Sequence, residues 1–170
     1  EIKYKIHTTL GGVMNISAVV KDLSISQNSF YMIKEFNKLL DNPDVSAGAF
    51  YQRASIPATT ACFGTKICAH ISSYNGVLIA SSLELVEMCL KFHINSDIYF
   101  YVWDLDWLDN PVYFSSAMDT MRNDQVKILA RSESHAKCID NFCNKKTVGI
   151  VDNWNSAQLL KIIKPTVKPM

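Results

Sequence analysis

The chain has 170 residues, 48% of them hydrophobic and 19% charged, with a formal net charge of +1. That length and apolar share suffice for one globular domain with a real core, and they exclude a disordered or low-complexity chain. The balance of charge alone asks for no polyanion and no membrane surface, but it is uneven. Residues 1–110 hold 8 Lys/Arg against 11 Asp/Glu, and residues 111–170 hold 9 against 5, so an anionic partner near the C-terminal third is permitted without being required.

In chain order, Tyr4–Thr9 reads as a first strand running into Gly11-Gly12. Val13–Leu23 is rich in branched residues but has no clean period, and reads as loop or ribbon. Ser26 or Asn28 caps a helix to about Leu40, with Phe30, Ile33, Phe36 and Leu40 on one stripe and Asn42-Pro43 to stop it. Val45–Arg53 reads as a strand. The Ala/Ser/Thr-rich stretch 54–74 reads as loop plus a short helix. Gly76–Ala80 is a buried strand followed by a helix over Leu83–Phe92, with Leu83, Val86 and Leu90 inward. Ile98–Trp103 is the next strand, and a loop through Pro111 leads to a helix near Ser115–Asn123. Val126–Ala130, a helix over Glu133–Phe142, a strand at Thr147–Val151 and a helix over Ser156–Ile163 complete a domain spanning 1–163. Residues 164–170 read as a linker or tail.

Apolar strands alternating with helices predict an α/β fold: a doubly wound, mostly parallel, Rossmann-like sheet with helices on both faces. Ligands of such sheets bind at the carboxyl ends of the strands. There the sequence places Thr8–Val13, Ser81-Ser82, Trp103–Asp106, Arg131–Ser134 and Asp152–Trp154, all polar segments directly after apolar runs.

Asp104 is the sharpest candidate, at the end of the run 98-IYFYVWDLDW-107. A carboxylate between Trp103 and Trp107 would be partly desolvated, which raises its pKa and suits a general base, with Asp106 orienting it or a substrate. The plainer alternative is that both acids cap the following turn. The Gly11-Gly12 turn with Val13 could present backbone amides to an anion, or could be turn geometry alone; it is neither GxGxxG nor a Walker loop. Ser81, and Ser132 and Ser134 after VKILAR, could hydrogen-bond a ligand or simply cap helices. Arg122, Lys127 and Arg131, with Lys137, Lys145 and Lys146, form a phosphate-facing surface or a scatter of solvated charges.

The other residue types say less. Five cysteines make an odd set with no CxxC, which reads as reduced, structural thiols in a cytoplasmic protein (host cytoplasm, if viral). No zinc-ligand spacing, HExxH or GxSxG occurs among the candidates, so no bound metal is expected. No run of 18 apolar residues points to a membrane.

The segment 98-IYFYVWDLDW-107 resembles the Tyr-rich central strand of T4-type phage DNA glucosyltransferases, which ends in an Asp acting as catalytic base. The order of 11-GGVMNIS-17, 24-SISQNSFYMIKEF-36, 74-YNGVLIASS-82 and 126-VKILARSESHAKCIDNF-142 around it is similar too. The resemblance implies the N-terminal, acceptor-side half of a GT-B glycosyltransferase. Its partners would be a nucleotide-sugar donor such as UDP-glucose, a hydroxyl acceptor (modified DNA among them) and a second Rossmann-like domain, covalent or in another chain. It implies Asp104 as base and Gly11, Gly12 and Val13 near the transferred sugar, with no tightly bound cofactor. Asp106 departs from the family pattern, in which at least one such enzyme has a basic residue at the equivalent place; an acid there would repel a DNA phosphate. The rival expectation is a non-catalytic Rossmann-like module that binds a nucleotide, nucleic acid or protein.

Overall fold

Three residues set the frame. Leu78, Ile98 and Val126 stand side by side on neighbouring strands, each at most 2% exposed, and all face one way. They belong to β4 (Val77–Ala80), β5 (Asp97–Tyr101) and β6 (Val126–Ala130), the inner strands of a seven-stranded, entirely parallel sheet. The computed structural model describes residues 12–92, 96–108 and 111–163, with the side chains of Asp106 and Pro111 also left aside. The other strands are β1 (Met14–Val20), β2 (Val45–Tyr51), β3 (Gly64–Ile67) and β7 (Gly149–Ile150), and the sheet order is β3-β2-β1-β4-β5-β6-β7.

Along β5, Ile98, Phe100 and Val102 pack on one face and Tyr99 and Tyr101 on the other, and all are buried. A strand covered on both sides reads as a continuous apolar run, which is why β4, β5 and β6 stand out in the sequence. The first face carries α2 (Leu83–Lys91), α3 (Pro111–Arg122) and α4 (Glu133–Cys143), and the second carries α1 (Gln27–Leu39) and α5 (Ser156–Ile163). The fold is thus the doubly wound, Rossmann-like α/β arrangement. No helix among the described residues is long and apolar enough to cross a membrane.

Several boundaries differ from expectation. The segment read as loop or ribbon after Val13 is β1, an inner strand between β2 and β4, whose apolar run is broken by Asn15 and Ser17. Within 54–74 lies the edge strand β3, exposed at all four residues and so without a hydrophobic signal, followed by a 3-10 turn at Cys68–Ser73. In α1 the buried face is Met32, Ile33, Phe36 and Leu39; Phe30 is turned away from it and Leu40 lies past the last turn. On α2 the inward residues are Leu85, Val86 and Cys89, while Leu83 and Leu90 sit at the margin. The third helix begins at Pro111, where a fixed φ and a missing N–H suit the first turn. The expected strand Tyr4–Thr9 and the tail 164–170 lie outside the described residues.

After β7 the chain makes a tight turn at Asp152–Trp154 in which Asn153 (φ 44°) and Trp154 (φ 64°) are both left-handed. For a bulky residue that backbone is strained, on the order of 1–3 kcal/mol, and burial must outweigh it. Trp154 is fully buried, with its ring edge-on to Tyr101 (4.6 Å) and Phe36 (5.8 Å). Its backbone N–H donates to Tyr101 Oη (3.3 Å), which donates in turn to Val151 O (2.8 Å). Its indole Nε1–H donates to Asn28 Oδ1 at 2.7 Å, tying the start of α1 to this corner.

Beside it, the buried Glu35 accepts from both the N–H and the Oγ of Ser156 at 3.0 Å, and from Lys38. A carboxylate at the first residue of α5 also complements the helix dipole. Burial opposes the Glu35 charge, but these donors outweigh it and hold the carboxyl below its ordinary pKa. Glu35→Ala is expected to cost about 1.5–3 kcal/mol, the range for hydrogen bonds to a charged group, read as a lower denaturation midpoint with unchanged slope. A loss under half a kcal/mol would show that the α1–α5 tie is incidental.

Candidate functional site

Strand order reverses between β1 and β4: the chain leaves β1 toward β2 and leaves β4 toward β5. A crevice opens at such a switch point, outside the carboxyl ends of the strands. Here it is a cleft of ≈ 190 Å³ lined by Val20, Lys21 and Asp22 after β1, Ser81 and Ser82 after β4, Trp103 and Asp104 after β5, and Ser26, Asn28 and Ser29 at the start of α1.

Two helices begin at this cleft. Ser26 Oγ caps α1 by accepting from Ser29 N–H (3.0 Å). Ser82 occupies the same position before α2 but makes no cap bond. Its Oγ is buried and has no hydrogen-bond partner among the described residues, and it does not cap the first N–H groups of α2. Converging helix N-termini are suited to an anion or to a polarised oxygen.

The charges are arranged unequally around them. Lys21 pairs with Glu84 at 3.3 Å in an exposed bridge, the kind that contributes little and is easily exchanged for a ligand. Asp22 accepts from Ser24 through both the hydroxyl and the N–H and pairs with Arg53 (3.3 Å). The Ser24 hydroxyl and then its N–H and Arg53, working against some burial, hold its carboxyl below the usual range. Asp22 is therefore already engaged. Asp104 is exposed and accepts no hydrogen bond from the described residues, so it is the carboxylate of the cleft left for a ligand.

That exposure corrects one expectation. Asp104 is not held between two tryptophans, because Trp103 and Trp107 go to opposite faces of the sheet. Trp103 packs toward Tyr101 on the α1 side, and Trp107 is buried against Phe100 on the α2 side. Over Trp103 lies the Arg131 guanidinium, 3.9 Å from the ring centroid, which donates to Trp103 O (3.4 Å) and Asn153 Oδ1 (3.2 Å). A stacked, doubly bonded Arg is a fixed cation beside Asp104.

The remaining candidates separate. Ser81 lines the cleft, though its Oγ also lies 3.4 Å from Val19 O. Ser132 caps α4 by accepting from His135 N–H (3.2 Å), and its Oγ is 3.1 Å from that of Ser134. Both stand at the carboxyl end of β6, outside the residues lining the cleft. Gly12 and Val13 precede β1 and stand at its amino end, the edge opposite Asp104; Gly11 lies outside the described residues. Asp106 opens the 3-10 turn Asp106–Leu108, and its side chain is not among those described.

The basic surface does not assemble either. Arg122 Nε donates to Cys143 O (2.8 Å), closing the end of α4, and Lys127 bonds Asp97 (2.8 Å) over the Tyr99 ring. Lys145 caps Asn123 O and Val126 O, and Lys146 pairs with Asp140. These side chains are spent on structure, and of the predicted basic set Arg131 is the one placed beside the cleft, over Trp103. Among the described residues, no three His, Cys, Asp or Glu gather as a metal site.

The sequence reading left out Lys21, Asp22, Asn28 and Ser29. Recognising Ile16–Val20 as a buried run would have exposed Lys21-Asp22 as its polar sequel. It also gave His135 no role. That ring is half-buried, and Nδ1 accepts from Arg131 N–H (3.2 Å), which requires the neutral ring protonated on Nε2. No family model, curated protein or solved structure matches this chain.

His135 supplies a prediction. Burial and then Arg131 push its pKa below the ordinary histidine value, with Asp104 pulling the other way. A His with a depressed folded pKa contributes stability above its unfolded pKa and loses that contribution as pH falls toward the folded value. The unfolding free energy should therefore drop as pH falls below about 6.5, the unfolded histidine value, and less so in His135→Asn. Identical pH profiles for the two proteins would refute the assignment.

Proposed function

We propose that this chain is the acceptor-side, Rossmann-like half of a GT-B glycosyltransferase that uses a nucleotide-sugar donor, UDP-glucose or a relative, with Asp104 as general base. The observation that carries the reading is the position of Asp104: an exposed carboxylate at the carboxyl end of β5, without a hydrogen bond among the described residues, opening on the switch-point cleft between the starts of α1 and α2. The likeness of 98-IYFYVWDLDW-107 to the base-bearing strand of phage DNA glucosyltransferases supports it from the residues themselves.

In this mechanism an acceptor hydroxyl lies against Asp104. The carboxylate takes its proton as the oxygen bonds to the anomeric carbon, and the bond from that carbon to the nucleoside diphosphate breaks. Direct displacement inverts the anomeric configuration. The glycine turn was expected to steady the sugar or its phosphates; with Gly12 at the opposite edge, that work falls to the N–H groups opening α1 and α2 and to Lys21. The second Rossmann-like domain would bring the donor to the cleft. A small hydroxyl acceptor fits better than duplex DNA, because Arg122 and Lys127 are committed elsewhere and gather no phosphate-tracking surface at the cleft.

A second reading is a non-catalytic module that grips a nucleotide. It is favoured by the cleft volume of ≈ 190 Å³, below the ~300–1,000 Å³ of most ligand pockets. Hexose transfer by the full-length protein separates the two. With sugar nucleotides as donors, Asp104→Asn should lower kcat about 10²–10⁴-fold, the usual contribution of a positioned base, with donor affinity retained. Full turnover in the variant would remove Asp104 from the chemistry. Donor binding without transfer by the parent protein would favour the module.

A further inference from the structure

A parallel sheet is normally covered on both faces, and here one face is only half covered. Following a single row across the face that carries α2, the residues are Gly64, Gly48, Ser17, Leu78, Ile98 and Val126. The right half is bulky and lies under helices; the left half shrinks to a hydroxyl and two hydrogens. A trough of ≈ 500 Å³ remains over β1, β2 and β3, floored by Ser17, Gly48 and Gly64 and walled by Lys66 and Tyr74. It lies on another part of the sheet from the Asp104 cleft, and the two share no lining residue.

Two hydroxyls of this trough are buried against each other. Ser17 is 4% exposed, and its hydroxyl faces that of Tyr74. Tyr74 Oη is buried and makes no hydrogen bond of good geometry among the described residues; burial pushes its pKa up to about 12, with the Ser17 hydroxyl opposing. Buried hydroxyls left unsatisfied cost on the order of 1–3 kcal/mol each, so native structures rarely keep them without a use. Lys66 forms no ion pair among the described residues, and the lining holds hydroxyls and amides but no carboxylate. The floor also resists filling. A Cβ on Gly48 would meet Ser17 Oγ at 3.0 Å and the Gly64 carbonyl oxygen at 3.2 Å.

We infer that this trough is a second binding site, for a small organic anion whose phosphate or carboxylate pairs with Lys66 while its body lies on the glycine floor beside Ser17 and Tyr74. One cation and several neutral donors, with no opposing acid, select an acceptor-rich, negatively charged group over a neutral or cationic one. The inference is independent of the role of Asp104.

Calorimetric titration of the full chain at two temperatures tests it, with inorganic phosphate, citrate and glucose as probes. At least one anion should bind and glucose should not. Lys66→Gln should weaken that binding at least tenfold, whereas Lys21→Gln, at the other cleft, should leave it unchanged. Tyr74→Phe removes a hydroxyl that is buried without a well-formed hydrogen bond among the described residues, so it should leave the melting temperature near that of the parent while weakening the anion. Phosphate distinguishes a phosphoryl site from a carboxylate site read by citrate. No binding of either anion, equal binding of glucose, or sensitivity to Lys21→Gln in place of Lys66→Gln would overturn the proposal.

Discussion

The chain crosses from β1 to β2 through α1 on one face of the sheet and from β4 to β5 through α2 on the other. Right-handed crossovers leave little choice: once two adjacent strands send their connections in opposite directions, the connecting helices must lie on opposite faces. No segment then spans the gap between the carboxyl ends of β1 and β4. The cleft is a consequence of strand order, and every side chain considered for function takes its meaning from its distance to that gap.

A strand order makes a crevice but does not fix its walls. That falls to the corner after β7, where two consecutive left-handed residues place Trp154 in the core and Asn153 at the surface. Trp154 holds Asn28 at the start of α1, and Asn153 holds Arg131 over Trp103, beside Asp104. One strained turn therefore braces two sides of the cleft. The strain is offset by full burial of an indole and by its paired N–H groups, an arrangement in which function and core packing share the same residues.

How much of this could be read from the sequence depended on burial. Elements covered on both faces, β4, β5 and β6, announce themselves as unbroken apolar runs, and α4 carries a clear cap in Ser132. Their loops, including Asp104, were placed at the carboxyl edge for the same reason. By contrast β1, although an inner strand, carries no such run. Asn15 and Ser17 interrupt its pattern because one face of its first half looks onto the open trough and not into a core. With β1 unread, Lys21 and Asp22 had no context, and Gly12 was assigned to the wrong edge. The exposure of Asp104 could not have been foreseen either, since the split of Trp103 and Trp107 to opposite faces depends on the turn between them.

The central claim is that the switch-point cleft, with Asp104 on its rim, receives the sugar nucleotide and its acceptor. Backbone amide spectra of the protein titrated with UDP-glucose test this most directly. Saturable shifts should appear at Lys21, Ser29, Ser82 and Asp104, with no comparable change at Gly48 or Gly64. Shifts confined to the trough, or spectra that stay unmoved at millimolar ligand, would contradict it.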